Sequence, residues 1–273
     1  MDKTPFKSDS GKLLSIRSLF GFAFRAIPRI ILFISFFIFS YILYFFLKNS
    51  KNMNEILKTL SKILLYISGY KNITIDDESL EKIKKSKAQI IVINHSSYID
   101  TGTANSVFPD AKFIASSYIK NLPVIGKWAK HNCIFLKDDP NERLTDQIKE
   151  MLNNGEKIVF FSEGCCCRPD ILLKLRHGAF VNNMSILPVH ISYPEKNIWI
   201  NGQDNMLIHY MWQLCQKENK VEVRVGKEYM PTEEDKKDVE LFITNFSNYY
   251  CKTFDVALSP KNYKDHPEFK NFE

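Results

Sequence analysis

Hydrophobic positions recur along the chain in different periods, and each period predicts a different element. Residues 30–47 read IILFISFFIFSYILYFFL, an apolar run of eighteen positions without a charge. As a helix this run would be about 27 Å long, close to the thickness of a bilayer's hydrocarbon core. Residues 54–68 (NEILKTLSKILLYIS) instead place Ile56, Leu57, Leu60, Ile63, Leu64 and Ile67 three and four apart, which predicts a helix with one broad apolar face. Such a helix either packs on a globular core or lies in the lipid interface beside the first. From residue 71 onward, short β-rich runs at 89–93, 112–115, 133–136, 157–161, 186–192 and 221–225 alternate with helical periods. The helices are expected near 78–86, 97–107, 142–153, 172–182, 206–218 and 232–257. This alternation predicts an α/β fold, a largely parallel sheet flanked by helices. Residues 259–273 are polar, contain Pro260 and Pro267, and carry no helical period, so a loose tail is expected there.

Four parts follow: a basic N-terminal segment (1–29), a membrane helix with an amphipathic helix (30–70), a catalytic α/β domain (71–258) and the polar tail. The apolar run reads as a retained anchor. A signal peptide has a shorter apolar region nearer the start and a small-residue cleavage site, whereas Lys48, Asn49, Ser50 and Lys51 follow this one. Basic residues balance across it, with Lys12, Arg17, Arg25 and Arg29 before and Lys48, Lys51, Lys58 and Lys62 after. Loop charge therefore sets no orientation, and a single span and a two-helix hairpin entering one leaflet both stay open.

Composition sharpens this picture. With 45% hydrophobic and 25% charged residues the chain is not disordered; 21 Phe and 12 Tyr are a heavy aromatic load, and the apolar run carries much of the excess. Lys and Arg exceed Asp and Glu by 37 to 31. An excess this small and dispersed suits an anionic membrane surface or phosphate-bearing substrates and does not predict nucleic-acid binding. The cysteines at 133, 165, 166, 167, 215 and 251 lie in a chain too large to need a disulfide framework, and three are adjacent, which predicts reduced thiols facing the cytosol.

Candidate chemistry lies where strands end. Ile90 to Ile93 run into Asn94, His95, Ser96, Ser97, Tyr98, Ile99 and Asp100. A His on the turn, with an Asp in the first helical turn behind it, can have one ring nitrogen oriented by the carboxylate and the other free to take a proton. Taken alone, Ser96 and Asp100 could equally cap a helix. A second strand ends in Phe160, Phe161, Ser162, Glu163 and Gly164, followed by three cysteines and LLKLRHGAF. Three adjacent cysteines point in divergent directions, so no metal site is expected. A thiol nucleophile paired with His95 or His177 is a further possibility, as is a Ser hydrolase, although no Gly-x-Ser-x-Gly elbow occurs.

In order and spacing, these blocks resemble the glycerolipid acyltransferases of the lysophospholipid and lysophosphatidic acid type. NHSSYID resembles their NHxSxxD block, LPVIGKWAKHNCIFLK (122–137) their second, FSEGCCC their FPEGT block, LLKLRHGAF the segment after it, and ILPVHISY (186–193) their closing PV block. The resemblance covers roughly residues 85–195. It implies transfer of a fatty acyl group from acyl-CoA, a co-substrate, to the free hydroxyl of a lysophospholipid, with no cofactor, metal or covalent enzyme intermediate. In that reading His95 is the base and Asp100 holds its tautomer, while Glu163 and Gly164 position the acceptor's glycerophosphate. It also implies a membrane-bound enzyme at the endoplasmic reticulum or another endomembrane, its catalytic domain facing the cytosol. LLK-x-x-x-GAF and Cys166 lean toward the lysophosphatidylcholine and lysophosphatidylethanolamine subgroup, with a lysophosphatidic acid acyltransferase as the alternative.

Three departures stand out. Where the family's second block carries a phosphate-binding Arg, this chain has Asp138 beside Lys137, so Lys137, Arg143 or Arg168 is expected to supply the cation. Ser162 replaces the usual Pro and Cys165 the usual Thr, the latter expected as site lining. These departures keep two other readings in view, a catalytically silent lipid-binding relative and a thioesterase that uses water.

Overall fold

The computed structural model describes residues 21–135, 144–193 and 205–265. The expectations for Lys137, Asp138 and Arg143 fall outside these residues. A π-helical turn at Phe22–Ala26 leads into helix α1 (Ile27–Leu47), and α2 (Met53–Ile67) follows it. Strand β1 (Tyr70–Ile75), α3 (Asp77–Lys85), β2 (Ile90–Ile93), α4 (Asp100–Val107) and β3 (Ala111–Ala115) come next. Then α5 (Ile125–Ala129), β4 (Cys133–Phe135), α6 (Leu144–Asn153), β5 (Lys157–Phe161), β6 (Ile171–Leu172) and β7 (Ile186–Ser192) lead to α7 (Met206–Cys215). The last elements are β8 (Asn219–Val225), α8 (Val239–Phe254) and β9 (Ala257–Leu258).

Seven strands form one sheet in the order β1-β8-β7-β2-β5-β3-β4, every pair parallel except β7 with β8. Alternation within β2 explains the layering. Ile91 and Ile93 join a core with Leu65 of α2 and Ala104 of α4, while Ile90 and Val92 join the opposite core with Ile148 of α6 and Phe242, Phe246 and Tyr250 of α8. Covered on both faces, β2 reads as a continuous apolar run because no side of it meets water. The α/β fold with a mostly parallel sheet is the one expected.

At its C-terminal end β2 is extended by a side chain. Asn94 Oδ1 accepts from the Ile191 N–H at 2.7 Å and its Nδ2 donates to the Ile191 carbonyl at 2.9 Å, so a side chain supplies the next rung against β7. The main chain is thereby free to turn off the sheet at His95.

The helix α1 lies along the domain. Arg29 Nη1 donates to the carbonyls of Leu214 and Gln216 at 2.8 and 2.7 Å, and the Phe33 ring meets Tyr210 at 5.2 Å. Further along, the Ser40 carbonyl accepts from the Trp128 indole, and Tyr44 packs edge-on against the same ring. From Arg29 to Tyr44 this is roughly 22 Å of helix with one flank on the globular part. The other flank stays open, with Ile31, Ile38, Phe39, Ile42 and Phe46 exposed.

Two expectations are corrected here. The helix near 172–182 is instead β6, an irregular stretch and a 3-10 turn at His177–Ala179. Its amides serve other partners: Leu173 N–H goes to Glu163, Lys174 N–H to the Lys261 carbonyl and Arg176 N–H to the Ser162 carbonyl. These three are therefore not available to a carbonyl four residues back, and within the stretch only Val181 N–H makes such a bond, to the His177 carbonyl at 3.3 Å. The tail is likewise fixed through Asp265, since Ser259 N–H donates to the Leu172 carbonyl and β9 pairs with β6.

Replacing Asn94 by Ala strands both buried backbone groups of Ile191. We expect a loss of about 2–6 kcal/mol, about one to three per orphaned group, as a lower urea midpoint of the detergent-solubilised protein.

Candidate active site

Two strand ends meet at this site. The parallel pairing of β2 with β5 sets Ile93 beside Phe161, so the turns at 94–97 and 162–164 emerge side by side. His95 sits on the first turn, its ring 4.6 Å from that of Phe161 and its side chain 23% exposed. Asp100, the first residue of α4, is fully buried. Its Oδ2 accepts from His95 Nδ1 at 2.8 Å and from the N–H groups of Ser96 and Ser97 at 2.6 and 2.8 Å, and its Oδ1 accepts from the Tyr193 hydroxyl. Asp100 does not act as a helix cap, since α4 has Ile99 at its N-cap with no side-chain bond; the same oxygen instead holds the turn's backbone and the imidazole. A carboxylate only accepts, so the proton on the ring sits at Nδ1 and Nε2 is the basic nitrogen.

Glu163 works from beneath. Wholly buried, it accepts from the His95 N–H at 2.6 Å on one oxygen, and from the Cys167 thiol at 2.9 Å and the Leu173 N–H at 3.1 Å on the other. Cys167 N–H in turn donates to the His95 carbonyl at 2.8 Å. Gly164 completes the turn with φ +79°, and a Cβ there would meet Arg176 Cδ at 2.8 Å. Both conformation and space thus call for glycine.

Electrostatics distinguish these groups. Burial pushes the Glu163 carboxyl up to about 7, outweighing the three donors that favour its anion. Burial also pushes the Cys166 thiol up, so it stays protonated, and it is hydrogen-bonded to the imidazole, whose remaining nitrogen is Nε2. For His95, burial opposes charge, but Cys166 and Asp100 outweigh it and hold the ring well above the ordinary histidine range. A neutral thiol brings a hydrogen bond and no charge, so we assign the upward pull to Asp100.

Of the residues singled out in the sequence, His95, Asp100, Glu163 and Gly164 converge on these two turns. Cys165 does not line an open face; it is buried with Cys167 and Leu173, with Tyr263 packed against them. Arg168 is bidentate to Asp170 at 2.9 and 3.1 Å, so its charge is engaged two residues away. Sequence reasoning missed Tyr193, whose only signal was its place at the end of the closing block, and the engagement of Cys166 and Cys167. Among the described residues no group of three or more His, Cys, Asp or Glu is placed to hold a metal ion.

Comparison with known proteins bears on the fold and on the kind of domain that carries these turns. The family model described as Acyltransferase matches residues 74–192, the segment that holds both turns. Lysophosphatidylcholine acyltransferase 1 of Rattus norvegicus is 23% identical over 225 residues, which cover 79% of this chain and 41% of that protein. Its Danio rerio counterpart is 29% identical over 191 residues, covering 66% and 37%. The lysophospholipid acyltransferase LPEAT1 of Arabidopsis thaliana is 28% identical over 192 residues, covering 64% and 47%. The chain thus spans less than half the length of these relatives. Among solved structures, the 1-acyl-sn-glycerophosphate acyltransferase PlsC of Thermotoga maritima superposes with a TM-score of 0.56 at 18% identity, covering 89% of this chain and 97% of that one, which establishes a shared fold. Residues 74–192 thus match an acyltransferase domain, and the chain is similar over much of its length to lysophospholipid acyltransferases.

Proposed function

We propose that this chain is a membrane-bound acyltransferase that moves a fatty acyl group from acyl-CoA to the free hydroxyl of a lysophospholipid, with His95 as general base. The observation that carries this reading is the Asp100–His95 pair, which leaves a basic Nε2 on a partly exposed ring. The acceptor hydroxyl takes the place of the Cys166 thiol on Nε2 and gives up its proton as its oxygen attacks the thioester carbonyl. Collapse of the tetrahedral intermediate expels the CoA thiolate, which recovers the proton from the imidazolium. A thioester needs no further activation than a well-placed nucleophile, so one oriented base suffices. The names of the relatives support the lysophospholipid acceptor.

Placement at the membrane rests on α1. A helix spanning the bilayer upright could not keep one flank on a water-soluble domain from Arg29 to Tyr44, so we place α1 within one leaflet with its exposed flank in lipid. Six free cysteines favour the cytosolic face of an endomembrane such as the endoplasmic reticulum.

His95→Ala should lower acyl transfer by about 10²–10⁴-fold, the usual worth of a positioned base. A purified-protein assay with labelled acyl-CoA and a lysolipid panel reads product phospholipid, nothing, or free fatty acid; either of the last two outcomes from wild type excludes the transferase reading. Because the base must be neutral and its pKa is raised, activity should rise with pH. Asp100→Asn should slow the reaction and move the inflection of its pH profile downward; an unchanged inflection would contradict the pairing.

Glu163 adds a stability signature. Its carboxyl holds a proton more tightly in the folded state than in the unfolded chain, so stability is highest below pH 4.5 on its account and falls as pH rises to about 7. The loss over that window is at most about 3 kcal/mol, and Glu163→Gln should flatten it in urea titrations run at several pH values.

Finally, the chain should remain with membranes through high-salt and carbonate washes, because buried apolar area is not screened as a polybasic contact is. Full-length protein in the wash would refute the anchor.

A further inference from the structure

The acceptor and the donor both carry phosphate, and a phosphate needs a cation that is not already neutralised. Among the basic residues between 168 and 177, three are engaged. Arg168 is bidentate to Asp170, Lys174 Nζ lies 3.2 Å from Glu240, and His177 Nε2 lies 2.6 Å from the same carboxylate. Arg176 is the exception. Its guanidinium lies over the Tyr263 ring, 4.8 Å from the centroid, and it meets no carboxylate among the described residues.

Its setting is built and not incidental. Arg176 N–H donates to the Ser162 carbonyl at 2.8 Å, which fastens the residue to the turn that carries Glu163 and Gly164. The side chain then passes across Gly164 so closely that a Cβ there would lie 2.8 Å from Cδ and 3.4 Å from Nη1. Tyr263 supports the guanidinium through its ring face, and the side chain is exposed. The same turn presents the Glu163 carboxylate to the His95 N–H, so one short loop fastens the main chains of both His95 and Arg176.

We infer that Arg176, held over Gly164 by Tyr263, is the anion site that binds a substrate phosphate during acyl transfer. The proposal rests on the acyltransferase reading above and supplies the cation that Arg168 cannot. The phosphate belongs either to the lysophospholipid, whose reacting hydroxyl lies a short glycerol backbone away from it, or to acyl-CoA.

The test uses the full chain in detergent and measures kcat and KM for both substrates in wild type, Arg176→Ala, Arg176→Gln and Arg176→Lys. Two phosphate-free partners serve as controls, a monoacylglycerol acceptor and an acyl-N-acetylcysteamine donor. Arg176→Ala and Arg176→Gln should raise KM for one phosphate-bearing substrate by roughly 10–100-fold, as expected for losing charge-assisted hydrogen bonds. Turnover at saturation and use of the phosphate-free partners should stay near wild type, and Arg176→Lys should recover part of the loss without the bidentate fork. Whichever KM moves identifies the source of the phosphate. A KM change below twofold for both substrates, or an equal fall in kcat with and without phosphate, would overturn the assignment. Equilibrium binding of glycerophosphocholine and of coenzyme A to His95→Ala, with and without Arg176→Gln, reads the site without turnover. An inactive wild type that still binds either ligand through Arg176 would therefore defeat the catalytic reading and leave this one standing, whereas binding indifferent to Arg176 would defeat this one.

Discussion

Glu163 is the constraint on which the site depends. One carboxylate, removed from water, is shared among three stretches of chain: the turn after β2 through the His95 N–H, the cysteine run through the Cys167 thiol, and the segment after β6 through the Leu173 N–H. A buried carboxyl with no partners would be strongly disfavoured, so these donors must be in place whenever the domain is folded. The arrangement converts a desolvation penalty into positional order. His95 cannot drift from the end of β5 because its main chain is tied on both sides, N–H to Glu163 and carbonyl to Cys167. The position of His95 is thus held through its backbone groups, while Asp100 orients its ring through Nδ1.

Legibility in the sequence followed burial. The central strands were readable because β2 and β5 are covered on both faces and so appear as unbroken runs, IIVI and KIVFF. Edge pieces were not. β1 has an irregular register between Tyr70 and Ile73, and β6 and β9 are two residues each, below the length at which a period can be counted. The helix expected near 172–182 failed because its backbone groups pair with Glu163 and with residues 259–261, partners that lie 10 and more than 80 residues away in sequence and that no local period encodes.

Within the site the same distinction holds. His95 and Asp100 were legible because their relation is local, five residues across a strand-to-helix turn. The cysteines were not, since neighbouring residues of an irregular turn face different ways and only the long-range pairing with His95 and Glu163 decides which thiol goes where. Cys165, singled out for the family's Thr position, faces an apolar cluster, while Cys166 and Cys167 reach the two functional side chains. Arg176 escaped notice for a different reason: sequence lists cations, and only structure shows which of them a carboxylate has already taken.

The anchor and the catalytic turns belong to one mechanical unit. Arg29 binds the carbonyls that end α7, and Tyr98, on the His95 turn, donates to Gln213 in that helix at 2.9 Å and faces Tyr210, whose ring meets Phe33 of α1 at a tilt. A path of direct contacts therefore runs from α1 to the turn that carries His95. For the acceptor proposed above, a membrane lipid, this arrangement answers a problem of approach. In that reading the lysolipid need not leave the bilayer, because the base stands at a fixed height above the leaflet that holds it. Height is set by α1 lying along the domain, and orientation by α7 bridging that helix to the turn. In that reading the apolar run is part of the active site's geometry as well as its tether.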